Sequence, residues 1–184
     1  MIVGVGGQGT LLASRIIGKV AIKAGYDVKV SEVHGMSQRG GSVVTYVKYD
    51  KKVYSPLIFE GEADYMLAFE ELEAYRWLPY LKKDGKLIVN TQQMNPMPVI
   101  TGAMKYPESI LEKIGDKLKN VVALDALKGA VEAGTVKAVN IVLIGCFAKN
   151  SDVDKQVWID VIKETVPPKF LDINLKAFEI GYNS

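Results

Sequence analysis

The sequence predicts an α/β fold: a single domain with a mostly parallel sheet, an antiparallel hairpin at its edge and a helical C-terminal part. Three observations predict it. Strand-like apolar runs alternate with helical patterns from Met1 to Leu124. A glycine-rich turn joins the first such run to the first helix. Beyond Leu124 the pattern becomes almost wholly helical. The chain has 184 residues, enough to bury a core without staples.

Met1 to Val5 is a short buried strand. Leu12, Ile16, Val20 and Ala24 recur at spacing four, with Ala13, Ile17 and Ala21 beside them, so a helix follows and Gly25 stops it. Tyr26 to Val33 alternates and reads as a second strand, parallel to the first across a βαβ unit. Ser42 to Tyr49 is β-branched and aromatic, and Lys52 to Tyr54 is expected to pair with it across Asp50-Lys51, which makes the 42–54 hairpin. Tyr65 to Phe69 is a buried strand, Glu70 to Leu78 a helix closed by Pro79, Asp84-Gly85 a turn, and Leu87 to Val89 another strand. Asn95 to Pro98 is a loop, Pro107 opens a helix over 108–118, and Val121 to Leu124 is a strand. Ala138 to Lys149 is apolar nearly all round and is expected to be deeply buried. Ser151 and Asp154 resemble a capping box ahead of 153–164, and Phe170 to Ile180 forms the last helix after Pro167-Pro168.

Composition excludes several functions. Lys plus Arg number 23 and Asp plus Glu 21, for a net charge of +2, which argues against binding nucleic acid by general phosphate attraction. One cysteine cannot form an internal disulfide, and with one histidine it makes no metal site. No apolar run approaches the ~20 residues that span a bilayer, so a soluble, cytoplasmic protein is expected.

Two segments carry the candidate chemistry. Gly4-Val5-Gly6-Gly7-Gln8-Gly9 satisfies G-x-G-x-x-G between a strand and a helix, a Rossmann-like context in which backbone N–H groups approach an anion at the helix N-terminus. Glu32, 23 residues after Gly9, is placed where such a fold puts its ribose-binding acid. The same glycines also suit a close strand–helix contact, and both readings stay open. The second segment runs from Glu32 to Gly41 and holds the lone histidine. His34, Ser37, Gln38 and Arg39 are the candidate catalytic side chains, with Gly40 and Gly41 beside them. Arg39 suits a carboxylate or phosphate, and His34 suits proton transfer or hydrogen bonding near neutral pH. Cys146 reads as a core residue, and Glu70, Glu71 and Glu73 as a solvated first helical turn favoured by the helix dipole.

Taken together, the first glycine segment and the run SEVHGMSQRGGSV over 31–43 closely resemble the gamma-type domain of the 2-oxoacid:ferredoxin oxidoreductases, in particular the indolepyruvate type. Asn140, Gly145, Asn174, Ala177, Phe178 and Gly181 match later helices of that family, so the resemblance covers almost the whole chain as one domain, 1–184. It implies a complex that decarboxylates an arylpyruvate oxidatively, with coenzyme A accepting the acyl group and ferredoxin the electrons. It implies a larger subunit carrying thiamine diphosphate and the iron–sulfur clusters, which need about four thiolates that this chain lacks. It leaves the glycine loop either holding an anionic part of coenzyme A or packing against the partner. A gamma subunit for pyruvate, 2-oxoisovalerate or 2-oxoglutarate, a small NAD(P)-binding protein and a purely structural subunit are the alternatives.

Overall fold

The computed structural model describes residues 1–35 and 40–184. Six strands form one sheet in the order β2-β3-β1-β4-β5-β6. They are β1 (Ile2–Val5), β2 (Asp27–His34), β3 (Ser42–Asp50), β4 (Ala63–Ala68), β5 (Leu81–Asn90) and β6 (Val121–Leu124). The pairings β1–β4, β4–β5 and β5–β6 are parallel; β1–β3 and β2–β3 are antiparallel. No helix among the described residues is long and apolar enough to cross a membrane.

The inner strands are apolar on both faces because helices cover both. Ile2, Leu67 and Ile88 point to one side, where α1 (Thr10–Lys23), α5 (Ala126–Ala133), α6 (Val139–Lys149), α7 (Lys155–Thr165) and α8 (Leu171–Tyr182) pack. Val3, Met66, Ala68, Leu87 and Val89 point to the other, against α2 (Glu71–Trp77) and α4 (Ile110–Gly115). A one-turn helix, α3 (Met97–Ile100), lies between β5 and α4. Helix α6 is buried from Val139 through Ala148, as its all-apolar pattern requires.

The two-strand reading of the N-terminal third needs correction. Strands β1 and β2 run in the same direction but are not neighbours, because β3 lies between them and is antiparallel to both. Side-chain chemistry explains the choice. The central slot must be apolar on both faces, and Val43 to Val47 of β3 is buried without a break. The DVKVSEVH sequence of β2 alternates with polar residues and takes the edge, leaving Val30 and Val33 about half exposed. The antiparallel edge is therefore the 27–50 hairpin. Lys52 to Tyr54 is not a strand; the Val53 N–H instead donates to Asp27 Oδ2 at 3.0 Å.

Smaller differences have local causes. Asp84-Gly85 lies inside β5, at an irregularity in its pairing with β4, where a Cβ on Gly85 would meet Leu81 and the Ala63 carbonyl. Pro107 stays outside α4, which starts at Ile110. Asp154 caps α7 by itself, accepting from the Gln156 N–H at 2.7 Å, while the Ser151 hydroxyl donates back to the Ala148 carbonyl. The 95–98 loop ends in α3.

The C-terminal helices meet backbone to backbone. A Cβ on Gly145 would lie 2.1 Å from the Phe178 carbonyl oxygen, and one on Gly181 would lie 1.9 Å from that of Val142. Neither side can yield without parting α6 from α8. Gly145→Ala or Gly181→Ala is expected to cost about 3 kcal/mol or more by overpacking, read as a lowered urea midpoint. Gly115→Ala, which meets nothing within 4 Å, should be neutral or stabilising by up to about 1 kcal/mol.

Candidate functional site

Both glycine segments lie at the carboxyl edge of the parallel strands, where open α/β sheets bind ligands. Strand β1 ends at Val5, the turn occupies Gly6 to Gly9, and α1 begins at Thr10. Gly7 and Gly9 have φ of 99° and 88°, a region that side chains with a Cβ avoid. Gly4 has a different role: a Cβ there would stand 2.9 Å from both Phe69 Cβ and the Gln8 side-chain oxygen. The Gln8 amide fills the inside of the turn. Its Oε1 accepts from the Val5 N–H at 2.8 Å and its Nε2 donates to the Phe69 carbonyl at 3.0 Å. The Asn90 amide donates to that same carbonyl at 3.1 Å and accepts from the Ala126 N–H. Asn140 closes the far side, its Nδ2 3.5 Å from the Gly9 carbonyl.

The second segment returns to the first. The Gly6 N–H donates to the Gly41 carbonyl at 2.9 Å, and the Gly40 N–H approaches the Gly6 carbonyl at 3.5 Å. Ser42 is then in register with Val5, and His34 with Val43. Gly4, Gly6, Gly7, Gln8, Gly9, Gly40 and Gly41 are thus brought together. Of the proposed catalytic residues, Ser37, Gln38 and Arg39 lie outside the described residues, and His34 is placed by its backbone alone. The Gly6 N–H is consumed by this seam. Among the described residues, the N–H groups of Gly7, Gly9 and Thr10 keep no acceptor and face the crevice end of α1.

Glu32 does not stand at the strand end. It pairs with Thr45, which pairs with Ile2, so Glu32 lies level with the start of β1 and one strand removed from it. The Thr45 hydroxyl approaches its carboxylate at 3.4 Å. The dinucleotide reading thereby loses its ribose-binding acid.

The three glutamates after β4 are also a correction. Glu70, Glu71 and Glu73 are 1%, 5% and 2% exposed. Glu70 caps α2 by accepting from the Glu73 N–H at 2.8 Å, and its other oxygen accepts from the Met94 N–H at 3.0 Å and the Tyr106 hydroxyl at 2.5 Å. One carboxylate therefore clips both ends of the 94–106 segment, and burial together with that carboxylate pushes the Tyr106 hydroxyl well above its ordinary pKa. Glu73 accepts from the Ser42 hydroxyl at 2.5 Å and from Arg76 at 2.6 Å. The available signal was position: three carboxylates follow a buried strand directly at the carboxyl edge.

No group of His, Cys, Asp and Glu among the described residues suits a metal ion. Cys146 is fully buried in α6, and burial raises its thiol pKa. A cavity of about 1360 Å³ lies at the opposite sheet edge, where β3 and β4 run past the start of β1. Lys48, Asp50, Asp64, Lys82 and Lys86 line it with mixed charge, and no glycine of the crevice reaches it.

Fold and crevice define an α/β domain with a backbone-lined, glycine-rich site at its carboxyl edge. The family model for pyruvate ferredoxin/flavodoxin oxidoreductase matches residues 1–184, and the chain belongs to that family. It is 44% identical, over 98% of its length and 92% of the relative's, to the indolepyruvate oxidoreductase subunit IorB of Pyrococcus horikoshii. It shares its fold with the gamma subunit of a keto/oxoacid ferredoxin oxidoreductase from Geobacter sulfurreducens, with a TM-score of 0.72, 23% identity and coverage of 99% and 94% of the two chains. It likewise covers 30% of a chain of 2-oxoglutarate:ferredoxin oxidoreductase from Magnetococcus marinus, solved with 2-oxoglutarate, coenzyme A and succinyl-CoA, with a TM-score of 0.70, 17% identity and 99% of this chain aligned.

Tyr106→Phe is expected to cost about 1.5–3 kcal/mol by removing one hydrogen bond to a buried carboxylate. Glu70→Gln should cost more, because an amide cannot accept from all three donors. Urea denaturation of the purified chain measures both.

Proposed function

We propose that this chain is the smaller subunit of an indolepyruvate oxidoreductase that converts an arylpyruvate to its acyl-coenzyme A thioester and passes electrons to ferredoxin. The observation that carries this reading is the Gly6–Gly41 seam, which joins both glycine segments into one crevice in a chain 44% identical to an indolepyruvate oxidoreductase subunit. Thiamine diphosphate and the clusters belong to a larger partner: this chain has one cysteine, buried in α6, and cannot hold a cluster. When bound there, thiamine supplies the carbanion chemistry of decarboxylation.

This chain's contribution is to bind and orient. The N–H groups of Gly7, Gly9 and Thr10, at the positive end of α1, are suited to a phosphate of coenzyme A. Arg39 adds a bidentate cation, Ser37 and Gln38 add neutral donors, and His34 adds an imidazole for hydrogen bonding or proton transfer. Coenzyme A bound to the structurally similar 2-oxoglutarate enzyme supports the ligand class.

The complex is to be purified anaerobically through a tag on this chain and assayed for viologen reduction. Reduction that needs coenzyme A and is fastest with indolepyruvate, ahead of pyruvate and 2-oxoglutarate, is the expected result. Arg39→Ala should raise the KM for coenzyme A about tenfold, in line with one lost charge-assisted hydrogen bond. If Arg39→Ala and His34→Ala leave turnover, coenzyme A affinity and assembly unchanged, the assignment of the loop is wrong.

A further inference from the structure

Ser42, the first residue of β3, is the point where the polar loop rejoins the sheet. Its backbone is in register with Val5, and the preceding carbonyl, that of Gly41, receives the Gly6 N–H. Its hydroxyl donates to Glu73 Oε2 at 2.5 Å, and Glu73 Oε1 accepts from Arg76 at 2.6 Å. The Glu73 side chain is 3% exposed and that of Arg76 is 47% exposed. Glu73 is itself fixed, because its N–H is capped by the Glu70 carboxylate, which also grips the segment after β5. A carboxylate taken this far out of water gains little stability over a well-packed apolar side chain. What it does gain is geometry: a short charge-assisted hydrogen bond to one hydroxyl on a neighbouring element.

We propose that Glu73 is a positioning residue for the glycine crevice, holding Ser42 so that the Gly40–Gly41 backbone stays against Gly6. The crevice is formed by two loops that share one strong seam, Gly6 to Gly41. Without the Ser42–Glu73 bond, that seam and the last rungs of the β1–β3 ladder set the distance between the loops. With it, the start of β3 is tied to α2 and through Glu70 to the β5 side of the same edge. Arg76 balances the buried charge from the solvent side. Neither Glu73 nor Arg76 is assigned contact with a ligand.

The consequence for coenzyme A rests on the proposed function, so the test has two readouts. The first is amide hydrogen exchange of the full chain in its complex. Ser42→Ala and Glu73→Gln should speed exchange at Gly6 by about tenfold, as expected for one lost charge-assisted bond, while α6 amides keep their protection. Ser42→Thr, which retains the hydroxyl, should restore the protection. The second readout is kinetic. The KM for coenzyme A should rise about tenfold in Ser42→Ala and in Glu73→Gln with kcat within about twofold, and the double variant should be no worse than Glu73→Gln alone. Unchanged exchange at Gly6 in both single variants overturns the positioning role whatever the kinetics. So does an unchanged KM in those variants when Arg39→Ala raises it. Faster exchange at Gly6 with no effect of any variant, Arg39→Ala included, on the KM upholds the positioning role and removes coenzyme A from the crevice.

Discussion

The placement of β3 between β1 and β2 determines where everything at the carboxyl edge can be. A strand in that slot loses water on both faces, so it must be largely apolar on both, and Val43 to Val47, buried throughout with Thr45 its one hydroxyl-bearing β-branched residue, meets the condition. Once β3 is there, its first residue stands in register with the last of β1. The Gly6–Gly41 seam continues that ladder by one step beyond the strand ends.

The crevice is built mainly from backbone and amides, with charge kept underneath. The Phe69 carbonyl receives both Gln8 and Asn90, which fixes the glycine turn to the end of β4 and to the start of α5. Asn140 meets the turn from α6. Glu70 and Glu73 lie below the surface and accept from the Glu73 and Met94 N–H groups, Ser42, Tyr106 and Arg76. Each of the four loops and helix starts at this edge is thus tied to at least one other, and the free backbone donors of α1 are left pointing outward on a rigid frame.

Much of this was legible in the residues. The helix spacing of 12–24, the all-apolar 138–149 segment, the apolar runs at 65–69 and 87–89 and the strand-like run at 121–124 each fixed an element, because packing on a helix or strand leaves a pattern in the sequence. The glycine turn was legible because a positive φ demands glycine. Strand order was not, since periodicity says which faces are buried and not which strand is the neighbour. The buried glutamates were misread for a related reason. A carboxylate after a strand looks the same in sequence whether water or Ser42, Met94 and Tyr106 satisfies it. Partners 24 to 36 residues away leave no local trace.

Cys146 gives the polypeptide a chemical character of its own. Oxidants attack thiolates they can reach. The chain's lone thiol is fully enclosed by the core, and that enclosure raises its pKa. No sulfenate, mixed disulfide or cross-link to another subunit can start from it while α6 stays packed.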